Sequence, residues 1–165
     1  MKNWKPYALG ILFSETVGAL SGWLARGGMA HFRTAVTKPP LSPPDWVFPV
    51  VWAVLYALMG IGAARVWLSP PSPARSKGLN LYVLQLIVNF FWSLIFFNAQ
   101  AYFLAFLWLM LLWALVFGMT LFFYQADLPA AKLQIPYRVW LIYAAYLNLG
   151  VWYLNSEWLS YIKKI

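Results

Sequence analysis

Cysteine is absent from this 165-residue chain, so disulfides and thiolate-bound metals are excluded. Histidine is nearly absent, and His31 alone cannot build a multi-histidine metal centre. Charged residues make up only 10% of the chain, well below the roughly one quarter usual in soluble domains. What fills the sequence instead is apolar: 63% hydrophobic, 20% aromatic, with a mean hydropathy of +0.67. A water-facing surface cannot be made from that composition, so the apolar excess faces lipid. The net charge of +8 sits at the ends of hydrophobic runs and is not interleaved with stacking aromatics in a polar segment. That pattern fits membrane topology and headgroup contacts, and argues against a nucleic-acid partner. Length and uniform composition suggest a single domain over residues 1–165.

A membrane-crossing helix needs about 20 apolar residues. From Leu79 to Tyr124 there is no charged residue at all. One helix of that length would reach roughly 69 Å, over twice the hydrocarbon thickness of about 30 Å, so it folds back once. Asn98-Ala99-Gln100 is the polar break near its middle and predicts a tight turn there. Breakers set the other limits: Arg26-Gly27-Gly28 is expected to end the first helix, and Ser69-Pro70-Pro71-Ser72-Pro73 to separate the second from a wet loop holding Arg75 and Lys77. The reading is an all-α membrane protein, a multi-pass bundle of five transmembrane helices at about 6–25, 46–68, 79–97, 101–125 and 136–155. A β-barrel is excluded because the runs are apolar on all sides. Ser14-Glu15-Thr16 and the lack of a small-x-small cleavage site argue against a cleaved leader. Seven cations (Lys2, Lys5, Arg65, Arg75, Lys77, Lys132, Arg138) fall on the N-terminal side and five (Arg26, Arg33, Lys38, Lys163, Lys164) on the other. The difference is too small to fix the orientation.

Small residues recur at helical spacing: Ser14, Gly18 and Gly22 in the first helix, Ala53, Ala57, Gly60 and Ala64 in the second. Such stripes suit close packing inside a bundle or a homodimer seam. Polar groups within the spans also fall on stripes. Gln85, Asn89, Trp92 and Phe96 share one face, as do Trp140, Ala144 and Asn148, and Trp52 with Tyr56. They would line a flat-walled pocket, or else bond neighbouring helices while the rings fill space. Glu15, the one acid deep in a span, reads as a paired or protonated structural residue, since no second acid or histidine stands near it. No Ser/His/Asp set, phosphate loop or metal motif occurs, so no catalytic or metal-binding residue and no required cofactor is expected.

The segment Lys38-Pro39-Pro40-Leu41-Ser42-Pro43-Pro44, then Trp46 through Gly60 with Trp52 and Leu55-Tyr56, resembles the signature of the TspO/MBR family. Gln85 to Trp92 with Phe96-Phe97 is similar to its third helix, and Ile135-Pro136-Tyr137, Trp140 and Leu147-Asn148 to its fifth. The resemblance implies a receptor or carrier for tetrapyrroles such as protoporphyrin IX and haem, and for isoquinoline and benzodiazepine drugs. It implies a ligand site of Trp52, Tyr56, Asn89, Trp92, Phe96, Trp140, Ala144 and Asn148, beneath residues 26–45 as a lid with Lys38, Pro39, Pro43 and Pro44. Some bacterial members carry two loop tryptophans linked to light-driven porphyrin breakdown. Phe32 and Leu41 stand in those places here, which argues against that enzymatic alternative. The last helix lacks the tyrosine-plus-basic pattern of the animal cholesterol motif, itself a weak signal.

Overall fold

The computed structural model describes residues 4–156. Its helices are α1 (Lys5–Ala35), α2 (Val47–Leu68), α3 (Pro73–Ser93), α4 (Tyr102–Ala126), the short α5 (Leu128–Lys132) and α6 (Ile135–Asn155). Five are long, as the sequence predicts. α1, α2, α3 with its extension, and α4 are long and apolar enough to cross a membrane. α6 is of spanning length but more polar, because Arg138, Asn148 and four tyrosines interrupt its aliphatic residues. Lys2, Lys163 and Lys164 lie outside the described residues.

Two predicted boundaries are wrong. α1 does not stop at Arg26-Gly27-Gly28 but runs nine residues past Arg26, to Ala35. Gly28 is there for packing: a Cβ at that position would collide with the Phe97 carbonyl, so its absence lets α1 pass close to the end of α3. The non-helical lid therefore shrinks from 26–45 to about 36–46. α3 begins at Pro73, six residues before expectation, so Arg75 and Lys77 are helical. Ser72 caps it by accepting a hydrogen bond from the Arg75 N–H at 3.1 Å, with proline at the first helical position.

The turn at 98–101 is where the polar break predicts it. α3 ends in a π-helical turn over Leu94–Asn98, closed by Ala99 N–H to Leu94 C=O at 2.9 Å, and Gln100 takes a positive φ of 52°. The wider turn adds a residue to the face that carries Phe96 and Phe97.

The small-residue stripes are used within the chain. Gly10 faces the Gly60 backbone, and Gly18 lies under the Tyr56 ring; a Cβ at either glycine would overlap its neighbour. α1 and α2 thus meet along the stripes that also suited a homodimer seam. α3 is the polar spine. From successive turns Tyr82 bonds Ser14 of α1 (2.6 Å), Gln85 accepts from Tyr137 of α6 (2.9 Å), Asn89 donates to Tyr56 of α2 (3.1 Å), and Trp92 donates to Asn148 of α6 (3.3 Å). At the end away from the lid, Arg65 of α2 grips Asp127 with two hydrogen bonds (2.9 and 3.0 Å). Asp127 also caps α5 through the Ala130 N–H at 2.7 Å.

Candidate ligand cavity

Above the Gly10–Gly60 and Gly18–Tyr56 contacts, α1 and α2 leave room. Gly22 has nothing within 4 Å of where a Cβ would stand. The space is a cavity of about 380 Å³ between α1, α2, α3, α6 and the lid. That volume falls within the usual range of small-molecule sites, about 300–1,000 Å³. Its wall includes all eight residues chosen from the sequence: Trp52, Tyr56, Asn89, Trp92, Phe96, Trp140, Ala144 and Asn148. Trp52 packs at 5.5 Å from Tyr56, and Trp92 stacks on Phe96 at 5.1 Å, so the aromatic surfaces are held by their own contacts.

Of the expected lid residues, Lys38 and Pro39 reach the wall, whereas Pro43 and Pro44 do not. The Pro44 carbonyl instead receives the Val47 N–H and starts α2. Phe32 is on the wall, resting against Phe96 and Phe97. Leu41 is 83% exposed and outside it.

Sequence reasoning missed what holds the lid. Tyr143 and Tyr146 of α6 donate to the carbonyls of Leu41 (2.6 Å) and Pro40 (2.8 Å). Asn155 exchanges two 2.9 Å bonds with the Thr37 backbone, and Gly150 admits Pro39 where a Cβ would clash. Leu41 sits at φ 63°, a position glycine or asparagine normally fills in such a turn, and the tyrosines flank it. Lys38 bonds Asp45 at 2.7 Å, and Arg33 approaches the same carboxylate at 3.6 Å. The signal was partial: Tyr143 and Tyr146 stand three apart on α6, but nothing in the sequence named their partners.

Hydrogen bonding separates the polar wall groups. Asn148 is bonded at both ends of its amide, accepting from Trp92 and donating to the Tyr102 carbonyl at 2.8 Å. The Asn89 amide is tied to Tyr56. Among the described residues the Trp140 indole N–H is buried without a partner. The exposed wall residues are Ala19, Arg33, Pro49 and Ala53, all on α1 and α2. The exposed part of the wall is therefore on the α1–α2 side, and the α3–α6 side is buried or half-buried.

Apolar spanning helices around an aromatic-walled cavity define an integral membrane protein with an internal cavity. The sequence profile of the TspO/MBR family matches residues 10–154, and the chain belongs to that family. It is 38% identical over 122 residues to protein CrtK of Rhodobacter capsulatus, covering 73% of this chain and 76% of that one. It is 34% identical over 158 residues to the translocator protein of Homo sapiens, covering 94% and 93%. The tryptophan-rich sensory protein of Cereibacter sphaeroides is 35% identical over 120 residues, covering 73% and 74%.

Proposed function

We propose that this protein is a membrane receptor or carrier that takes tetrapyrroles, with protoporphyrin IX and haem as the type ligands, and similar flat hydrophobic molecules into the 380 Å³ cavity. The carrying observation is the convergence of Trp52, Trp92 and Trp140 on one cavity, with the Trp140 indole N–H buried and unpartnered among the described residues. Flat rings stack on the aromatic walls, and a carbonyl or carboxylate completes Trp140. The same geometry accommodates isoquinoline and benzodiazepine drugs, which pair planar rings with a carbonyl.

The test is titration of the purified protein with protoporphyrin IX, following tryptophan emission in the dark and then under light. Saturable quenching at low stoichiometry is expected; linear quenching would mean partition into the micelle and would remove the receptor reading. No protein-dependent product is expected on illumination, because Phe32 supplies no indole to the cavity and Leu41 points outside it. A new product spectrum that depends on the protein would establish the enzymatic alternative.

A further inference from the structure

Glu15 lines the cavity on α1, one turn below Gly18 and Ala19. Among the described residues it makes no side-chain hydrogen bond and no ion pair, the ion pairs there being Arg33–Asp45, Lys38–Asp45 and Arg65–Asp127. Every other polar group on the lower wall is an amide, a hydroxyl or an indole. Asn89, Tyr56 and Asn148 bond one another or a neighbouring helix. A carboxylate in an apolar wall is costly unless a cation or strong donors complete it. Of the twelve Lys and Arg in the chain, none among the described residues reaches it.

The upper end has the opposite character. Arg33 and Lys38 both serve the single carboxylate of Asp45, which leaves that end with an excess positive charge. Eighteen residues of continuous helix separate Glu15 from Arg33, about 27 Å along α1 at about 1.5 Å per residue. The two charged ends therefore act on different parts of the cavity.

We infer that Glu15 is a specificity-determining residue of the cavity, selecting lipid-soluble aromatic ligands that present a basic nitrogen to the α1 wall. This rests on the cavity being a ligand site and adds a ligand class to it: aryl amines, whose ammonium completes Glu15 while the ring stacks on Trp52. Ala19, one turn above Glu15 on the same helix, and Ala53 of α2 are exposed residues of the same wall.

The probes are a matched pair, dansylcadaverine with its free primary amine and the same molecule N-acetylated. Binding is read by the blue shift of dansyl emission in detergent-solubilised full-length protein, with protoporphyrin IX quenching measured alongside. The wild type should bind the amine at least tenfold more tightly than the acetylated probe. Glu15→Gln should bring the two within about twofold, and Glu15→Asp should restore part of the preference. Circular dichroism melting shows that each variant is folded. Equal affinities in the wild type would overturn the inference without any variant, as would a preference that survives Glu15→Gln. Saturable porphyrin binding without amine preference sinks this inference alone. Amine preference without porphyrin binding sinks the tetrapyrrole reading alone.

Discussion

The two halves of the cavity wall are built on different principles. On the α3–α6 side the lining residues are half-buried or buried, and their polar groups are mostly bonded to protein, with Trp92 to Asn148 and Asn148 to the Tyr102 carbonyl. On the α1–α2 side they include glycine and alanine, several are exposed, and Glu15 has no partner among the described residues. The first half is a wired scaffold and the second a thin, accessible face. Helical spacing identifies polar residues that share a wall, but only bonding shows which remain available to a ligand. Asn148 and Trp140 share one stripe of α6, yet Asn148 is spent within the bundle while the Trp140 N–H is not.

The largest effect should come from the seam on which the thin half rests. Gly60→Leu places a side chain into the backbone of Gly10, where no flexible group can yield. Forced overpacking of this kind costs about 3 kcal/mol. Thermal unfolding in detergent should show it, with porphyrin binding lost as α1 is displaced. A variant as stable as wild type would mean that α1 and α2 are not seated on each other at this point.

Asn148→Ala should come next. It strands the Trp92 N–H in the bundle and takes one bond from the Tyr102 carbonyl, at roughly 1–3 kcal/mol for an unsatisfied buried group. Intramembrane hydrogen bonds average only about 0.6 kcal/mol, which brings the expectation to about 2 kcal/mol for the two together. The melting temperature without ligand should fall. An unchanged melting temperature with a large loss of porphyrin affinity would place Asn148 on the ligand and break the distinction between the halves.

Much of this architecture is legible in the sequence because membrane spans are set by composition, a local property. The break at Asn98-Ala99-Gln100 and the convergence of three aromatic stripes follow from uncharged length and a period near 3.6. What was not legible depends on partners distant in sequence. Gly27-Gly28 reads as a stop, and only the approach of Phe97 shows that Gly28 permits a crossing inside a continuous helix. Ser72 with Pro73 reads as a breaker run, although a capping serine followed by proline is also how a helix begins. The lid clamps required knowing that Tyr143 and Tyr146 of α6 face Leu41 and Pro40, a hundred residues earlier in the chain.

Trp140→Phe sharpens the comparison from the other side. The substitution keeps an aromatic ring and removes an N–H that bonds nothing among the described residues, so the melting temperature without ligand should hardly move. A ligand acceptor would lose its donor, at about 1 kcal/mol or slightly more. That is about five- to tenfold in affinity, at about 1.4 kcal/mol per tenfold. Affinity should be measured by isothermal titration with protoporphyrin IX and with an isoquinoline carboxamide. Unchanged affinity for both would show that the orphan donor is not a ligand contact.

The smallest effect concerns what anchors the thin half away from the cavity. α2 ends beside Asp127, where Arg65 supplies both hydrogen bonds of a bidentate pair. Burial alone would raise the Asp127 carboxyl, but the bonds from Arg65 and from the Ala130 N–H outweigh it and hold its pKa below the ordinary 3.8. An acid depressed by folding stabilises the native state above its unfolded pKa and loses that contribution as pH falls through the folded value. The contribution is therefore full at neutral pH and fades below about pH 4. Both partners are partly exposed, which limits the pair to about 1 kcal/mol or less. Asp127→Asn should melt slightly below wild type at pH 7, and the gap should close as the pH is lowered. Taking the difference between the two proteins removes the titration of the other acids, which both share. A gap that stays constant down to pH 3 would show that the loss does not depend on the carboxylate's charge, and would leave the open half with no charged anchor at its base.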